Sequence, residues 1–185
     1  MSNDAAIELG EFFDYVWGTA EDWVGQDPWV YLPLKNADGS FEKAFFHWPR
    51  QRKGVINWVL KHAALPVDVY YSPALFTRAN PEKKYVLGAR LLWVDFDGNA
   101  PKTWPEDIAP LPTLIVRSSL PENQHCYWLL DEFVTDTELL EDRNRALALA
   151  LKADTSGWDA DQLLRMPHTI NRKRNLPVEI VRWER

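Results

Sequence analysis

The sequence predicts a mixed α/β (α+β) domain, and three observations carry that prediction. Apolar residues recur at helical spacing in three separate stretches. Short β-branched and aromatic runs, bounded by turn residues, lie between and after them. Some of those runs are joined by turns short enough for hairpins, so strands and helices are interleaved in one unit. With 185 residues, the chain suits one domain, or one domain with two lobes, and can enclose a sizeable core.

In chain order, Ala5, Leu9, Phe12, Phe13, Val16 and Trp17 share one helical face, and Glu8, Glu11 and Asp14 fall opposite. Pro28 closes the next stretch. Residues 29–34 read as a strand, 36–40 (Asn-Ala-Asp-Gly-Ser) as a turn, and 41–48 as the returning partner. Val55, Ile56, Val59, Leu60 and Ala63 space a short helix over 54–64, ended by Pro66. Residues 67–71 are rich in strand formers, and 78–84 form a polar loop around Pro81. The stretch 99–112 holds four prolines and reads as a surface connection with at most one helical turn at Glu106-Asp107. Residues 114–119 and 125–130 are strands joined by a turn at 120–124. Thr135 or Thr137 caps a helix reaching about residue 152, with Leu139, Leu140, Ala146, Leu147 and Ala150 inward. Residues 154–161 are turn-like, 163–167 short and apolar, and 178–183 alternate as a final strand.

Composition narrows the function classes. Apolar residues make up 46% and charged residues 26%, an ordinary globular mix. The formal net charge of −6 means that nucleic acid could be held only through a local basic patch or through metal. A single cysteine, Cys126, excludes an internal disulfide and argues against a Cys-based zinc site; it fits a cytoplasmic protein. The acidic start, Met1-Ser2-Asn3-Asp4, lacks the basic opening of a signal peptide, and no apolar run would cross a bilayer, so no membrane partner is expected. The ten tryptophans read first as core residues and only second as base-stacking groups.

The chemistry concentrates at residues 90–98, Arg-Leu-Leu-Trp-Val-Asp-Phe-Asp-Gly. Four consecutive apolar residues read as a buried strand that reaches the core's edge. Alternation puts Asp95 and Asp97 on one face. Adjacent carboxylates repel unless a cation lies between them, and a hard divalent ion is the usual solution. A solvated turn, with Gly98 supplying a positive φ, is the plain alternative.

Two further patches follow. Residues 118–128, Ser-Ser-Leu-Pro-Glu-Asn-Gln-His-Cys-Tyr-Trp, would bring Ser119 and His125 together across a hairpin. Asp154-Thr-Ser-Gly is followed at 164–173 by Leu-Arg-Met-Pro-His-Thr-Ile-Asn-Arg-Lys. In this order the chain resembles the archaeo-eukaryotic primase superfamily, in particular the bifunctional primase-polymerase domains of plasmid and phage replication proteins. That family carries an apolar strand into Asp-x-Asp, then a Ser-rich turn into His-x-Tyr-Trp. Its third element is an Asp ahead of an Arg-x-Pro-Gly-Thr-x-Asn-x-Lys run. Residues 71–76 (Tyr-Ser-Pro-Ala-Leu-Phe) also resemble the segment preceding the first element, and the likeness covers roughly residues 67–175. Two departures stand out. His168 occupies the usual Gly position, and the turn before His125 is about one residue longer, leaving Ser118 and Ser119 as alternatives for one role.

The resemblance implies a two-lobed catalytic core with an RNA-recognition-motif-like catalytic sheet, divided near residue 75 into an N-terminal α/β lobe and a catalytic lobe. It implies nucleotidyl transfer from dNTPs or NTPs to a 3′-hydroxyl on a DNA template or primer. A helicase domain or another replication partner belongs to the same expectation. Asp95, Asp97 and Asp154 would be catalytic and would hold two Mg²⁺ or Mn²⁺ ions. Ser118 or Ser119, His125, Arg165, Asn171 and Lys173 would bind nucleotide. Asp159 and Asp161 are rivals for the third acid, which Asp154 fills better by its distance from Arg165. Arg172 to Arg174, with Arg50, Arg52 and Lys53, would form a footprint for template phosphates.

Two other classes compete. A haloacid-dehalogenase-like phosphatase also opens with an apolar strand into Asp-x-Asp-Gly, but Asn99 stands where its Thr would be, and about half of this chain precedes the strand. A non-catalytic single-stranded DNA-binding replication module could stack bases on aromatic residues, yet would have no use for three convergent acids.

Overall fold

One hairpin is divided between two sheets. In the computed structural model, which describes residues 3–184, β1 (Trp29–Tyr31) pairs with β4 (Phe45–His47), and β2 (Leu34–Lys35) pairs with β3 (Phe41–Glu42). The register runs without a break from Trp29↔His47 to Lys35↔Phe41, and Leu32 N donates to the Ala44 carbonyl between the two halves (2.9 Å). Pro33 has no N–H to give, so the strand leaves one ladder there and joins another. The expected single strand over 29–34 is therefore two.

The remaining strands are β5 (Asp68–Tyr71), β6 (Leu75–Phe76), β7 (Val86–Asp97), β8 (Leu114–Arg117), β9 (Asn123–Val134), β10 (Leu164–Arg165), β11 (Thr169–Asn171) and β12 (Leu176–Trp183). The large sheet has the order β11-β12-β8-β9-β7-β6-β1-β4, and the small one β10-β5-β2-β3. All pairings between described strands are antiparallel.

Three α-helices cover the sheets. The predicted face of α1 (Asn3–Trp17) is buried at Leu9, Phe12, Phe13, Val16 and Trp17, and it packs with α2 (Arg52–Ala63) and β7 in the main core. The opposite face of β7 supplies Val94 and Phe96 to a second cluster with Cys126, Trp128 and Ala148 of α3 (Thr137–Ala150). β7 is thus covered on both sides, as its continuous apolar run requires. Asp136, rather than either threonine, caps α3, and its Oδ1 accepts from Leu139 N (3.0 Å).

Near the start of β7 the ladder is irregular. Gly88 sits at φ +143°, and a Cβ there would lie 2.1 Å from the Val134 carbonyl oxygen. Only glycine fits so close an approach. No tryptophan is fully exposed, and Trp17, Trp48 and Trp93 are enclosed completely. No helix among the described residues is long and apolar enough to cross a membrane.

Candidate active site

Strand β7 leaves the core pointing its acids one way. Trp93 is buried, and Asp95 and Asp97 follow on the same face, half-buried and exposed in turn. The antiparallel register sets Asp95 opposite His125 and Asp97 opposite Asn123. Asn123 Nδ2 donates to Asp97 Oδ1 (2.5 Å). Across β9, His125 also faces Val116, so Ser118, two residues on, joins this face.

Asp154 enters from the far side. Its backbone N donates to the Asp95 carbonyl (2.9 Å), and Trp93 Nε1 donates to the Gly157 carbonyl (3.1 Å). Gly157 lets the loop lie flat, since a Cβ there would come within 3.2 Å of the Asp95 Cβ. The Asp154 carboxylate also accepts from Ser156 N and Oγ (both 2.9 Å), the Asx-type turn that its sequence allowed. The rival acids turn elsewhere. Asp159 pairs with Lys83 (3.0 Å), which also reaches Glu141 (2.7 Å), and neither Asp159 nor Asp161 lines the cleft.

The basic side chains come from β10 and the turn after β11. Arg165, on β10, donates from Nη1 to Asp68 Oδ1 (2.5 Å) and lies over the Tyr70 ring, 5.0 Å from its centroid. Asp68 also accepts from Arg172 N (2.7 Å), fixing the turn that carries Lys173 and Arg174. Asn171 donates from Nδ2 to the Ser118 carbonyl (2.9 Å), and its own Oδ1 is buried without a partner. Ser118 N closes the turn on the Asn123 carbonyl (2.9 Å), whereas the Ser119 hydroxyl has no intrachain hydrogen bond among the described residues. His168 adopts φ +61°, the left-handed conformation a glycine would take, with Nε2 3.1 Å from Glu8 Oε2.

These residues line one cleft of about 220 Å³: Asp95, Asp97 and Asp154, Arg165, Lys173 and Arg174, and Ser118, Ser119, His125 and Asn171. Burial, then repulsion from Asp154 and Asp97, pushes the Asp95 carboxyl up to about 7. Burial, with Arg165 adding to it, holds His125 down at about 3, so its ring is neutral at physiological pH. Its Nδ1 is buried without a partner, and its Nε2 stands 3.7 Å from Asp95 Oδ1. A set of hard oxygen donors, one of them buried beside two others, suits a divalent cation. Among the described residues no three such groups close around a single point.

Reading the sequence alone missed Asp68, Tyr70 and Asn123. Each gains its place only from a cross-strand partner, although a buried acid within a strand, as at Asp68, was a visible signal. Two members of the proposed basic footprint are committed elsewhere. Arg52 grips Asp14 through Nε and Nη2 (2.9 and 2.7 Å), and Arg50 pairs with Asp27 (3.0 Å).

No family model and no curated protein matches the sequence. Solved structures do. The chain is similar to the catalytic domain of primase RepB′ in complex with initiator DNA, with a TM-score of 0.70 and 18% identity over 98% of this chain and 86% of that one. It is similar to a longer primase RepB′ structure (0.69, 17%), covering 97% of this chain and spanning only 57% of that one. It also matches the AEP domain of the cyanophage S-2L primase-polymerase (0.67, 10%), over 94% of this chain and 88% of that one. The chain therefore has the fold of these primase and primase-polymerase domains, as its three sequence elements implied.

Proposed function

We propose that this chain is a primase-polymerase catalytic domain that transfers nucleotides from dNTPs or NTPs to a 3′-hydroxyl on a DNA template, in phage or plasmid replication. The single observation that carries the reading is that one cleft gathers three carboxylates, three cations and several hydrogen-bonding side chains. Such a mixed lining suits a metal-bound triphosphate, which needs acids for its cation and donors for its phosphates. The residues fit two Mg²⁺ or Mn²⁺ ions held by Asp95, Asp97 and Asp154. When bound, such ions lower the pKa of the attacking hydroxyl and offset charge on the departing pyrophosphate.

The chain's own groups do the rest. Arg165, held flat between Asp68 and the Tyr70 ring, presents its remaining guanidinium edge to phosphate oxygens. Neutral His125 donates one N–H, and the free Ser119 hydroxyl a second bond, to the same phosphates. Asn171 acts mainly by holding Ser118 in the turn. We take residues 1–185 as one catalytic domain, with an N-terminal portion to about residue 75 and the acids and phosphate donors beyond it.

A phosphatase would instead use its acids on a small phosphomonoester, and a passive DNA-binding module would leave them idle. Primer extension separates all three. The wild-type chain should extend a primed template with dNTPs and Mn²⁺ and release pyrophosphate. Asp95→Ala and Asp97→Ala should abolish extension with an unchanged circular-dichroism spectrum. A folded double variant that still polymerises would refute the assignment.

A further inference from the structure

We propose that the outer face of the small sheet is a platform for single-stranded nucleic acid, leading an unpaired strand to the cleft. The strand register builds this face. Lys35 lies opposite both Phe41 and Asp68, and Tyr70 lies opposite Arg165. Directly opposed residues point to the same side, as do residues two apart such as Asp68 and Tyr70. Phe41, Lys35, Asp68, Tyr70 and Arg165 therefore share one face. The other face carries Leu34, Val69, Tyr71 and Leu164, all buried.

The shared face alternates cations and rings. Lys35 Nζ lies 5.8 Å from the Phe41 centroid, the Phe41 and Tyr70 rings stand 6.2 Å apart at 47°, and Arg165 covers Tyr70 at 5.0 Å. Phe41 is 49% exposed, so a large flat ring is left open to solvent where core packing does not ask for it. Beside it runs a groove of about 530 Å³ lined by Lys35, Arg165, Arg172 and Lys173 against Asp38 and Asp68. Among the described residues Lys35, Lys173 and Arg174 make no ion pair. In a chain of net charge −6, this concentration of unneutralised cations fits a polyanion. Arg165 and Lys173 line both the groove and the acid cleft, so the two adjoin.

Rings for base faces and cations for the backbone are what unpaired strands require, whereas a duplex hides its base faces. Phe41 would take a base on its open side, Tyr70 the position nearer the acids, and Lys35 and Lys173 the phosphates. The inference rests on the nucleotidyl-transfer reading only for the strand's direction of travel.

The test is fluorescence anisotropy of the full chain with a short labelled oligothymidylate. Phe41→Ala should weaken binding roughly tenfold, and Phe41→Trp should restore it. Lys35→Gln combined with Lys173→Gln should flatten the slope of log affinity against log salt by about 1.4. Unchanged affinity in Phe41→Ala, an unchanged slope in the double variant, or a duplex that competes as well as the single strand would overturn the platform. Primer extension by the wild-type chain, run alongside, keeps the two ideas apart. Extension with an unaffected Phe41→Ala defeats the platform alone, and lost DNA binding without wild-type extension defeats the polymerase reading alone.

Discussion

Replacing Asp95 by Asn should stabilise the metal-free protein and silence it. Folded Asp95 keeps its proton up to about pH 7, against 3.8 for an unburied, isolated Asp carboxyl. Between those values the folded state binds more protons than the unfolded one, so stability falls as pH rises and the full deficit is present above about pH 7. Three pH units correspond to about 4 kcal/mol. The side chain is 23% exposed to the cleft, and solvent screening brings a realistic figure to roughly 1–2 kcal/mol. Asn removes the charge and keeps the volume. At about pH 8.5 its thermal midpoint should exceed the wild type's by roughly 2–8 °C, and at about pH 4.5 the gap should mostly close. Added Mn²⁺ should raise the wild-type midpoint at pH 8.5 and leave the variant's where it was. A variant less stable than wild type at high pH, or one equally stabilised by the ion, would show that the cost of a buried charge beside two other acids is not what governs the cleft.

Three other outcomes follow from geometry already described. His125→Ala should weaken nucleotide binding about tenfold or more, and more than template binding; equal losses in parallel titrations would remove its assigned role. Asp68→Ala leaves Arg165 and the Arg172 N–H without their acceptor, and should lower stability by about 3 kcal/mol in urea unfolding, whereas Asp68→Asn should recover part of it; a neutral Ala variant would contradict the role given to that carboxylate. Gly88→Ala drives a methyl against the Val134 carbonyl and should cost about 3 kcal/mol or prevent folding; a wild-type midpoint would mean that the β7–β9 ladder absorbs the clash freely.

What the sequence disclosed and what it withheld divide along a physical line. Local rules sufficed for the turn at 36–40, the apolar run into Asp95 and Asp97, the helical face of α1 and the burial of half the tryptophans. Periodicity and turn chemistry are written in neighbouring residues. The division of the first hairpin was hidden because it depends on which ladder each half joins, and Pro33 marks that change only in hindsight. Asp136 was passed over as the α3 cap because two threonines beside it have the same chemistry. At the cleft, Asp154 could be matched by motif order. Asp68, Tyr70 and Asn123 could not, because each acts through a strand distant in sequence. The face shared by Phe41, Lys35 and Tyr70 exists only once three pairings are fixed. His168 was a visible departure, and its positive φ shows that the backbone tolerated the change.

The hairpin that belongs to both sheets has a mechanical consequence. Because the register of β1–β4 continues into β2–β3 across Pro33, a tilt of the small sheet bends the same hairpin that edges the large one. The proposed nucleic-acid platform is thereby tied, through that hairpin, to the sheet that carries Asp95 and Asp97.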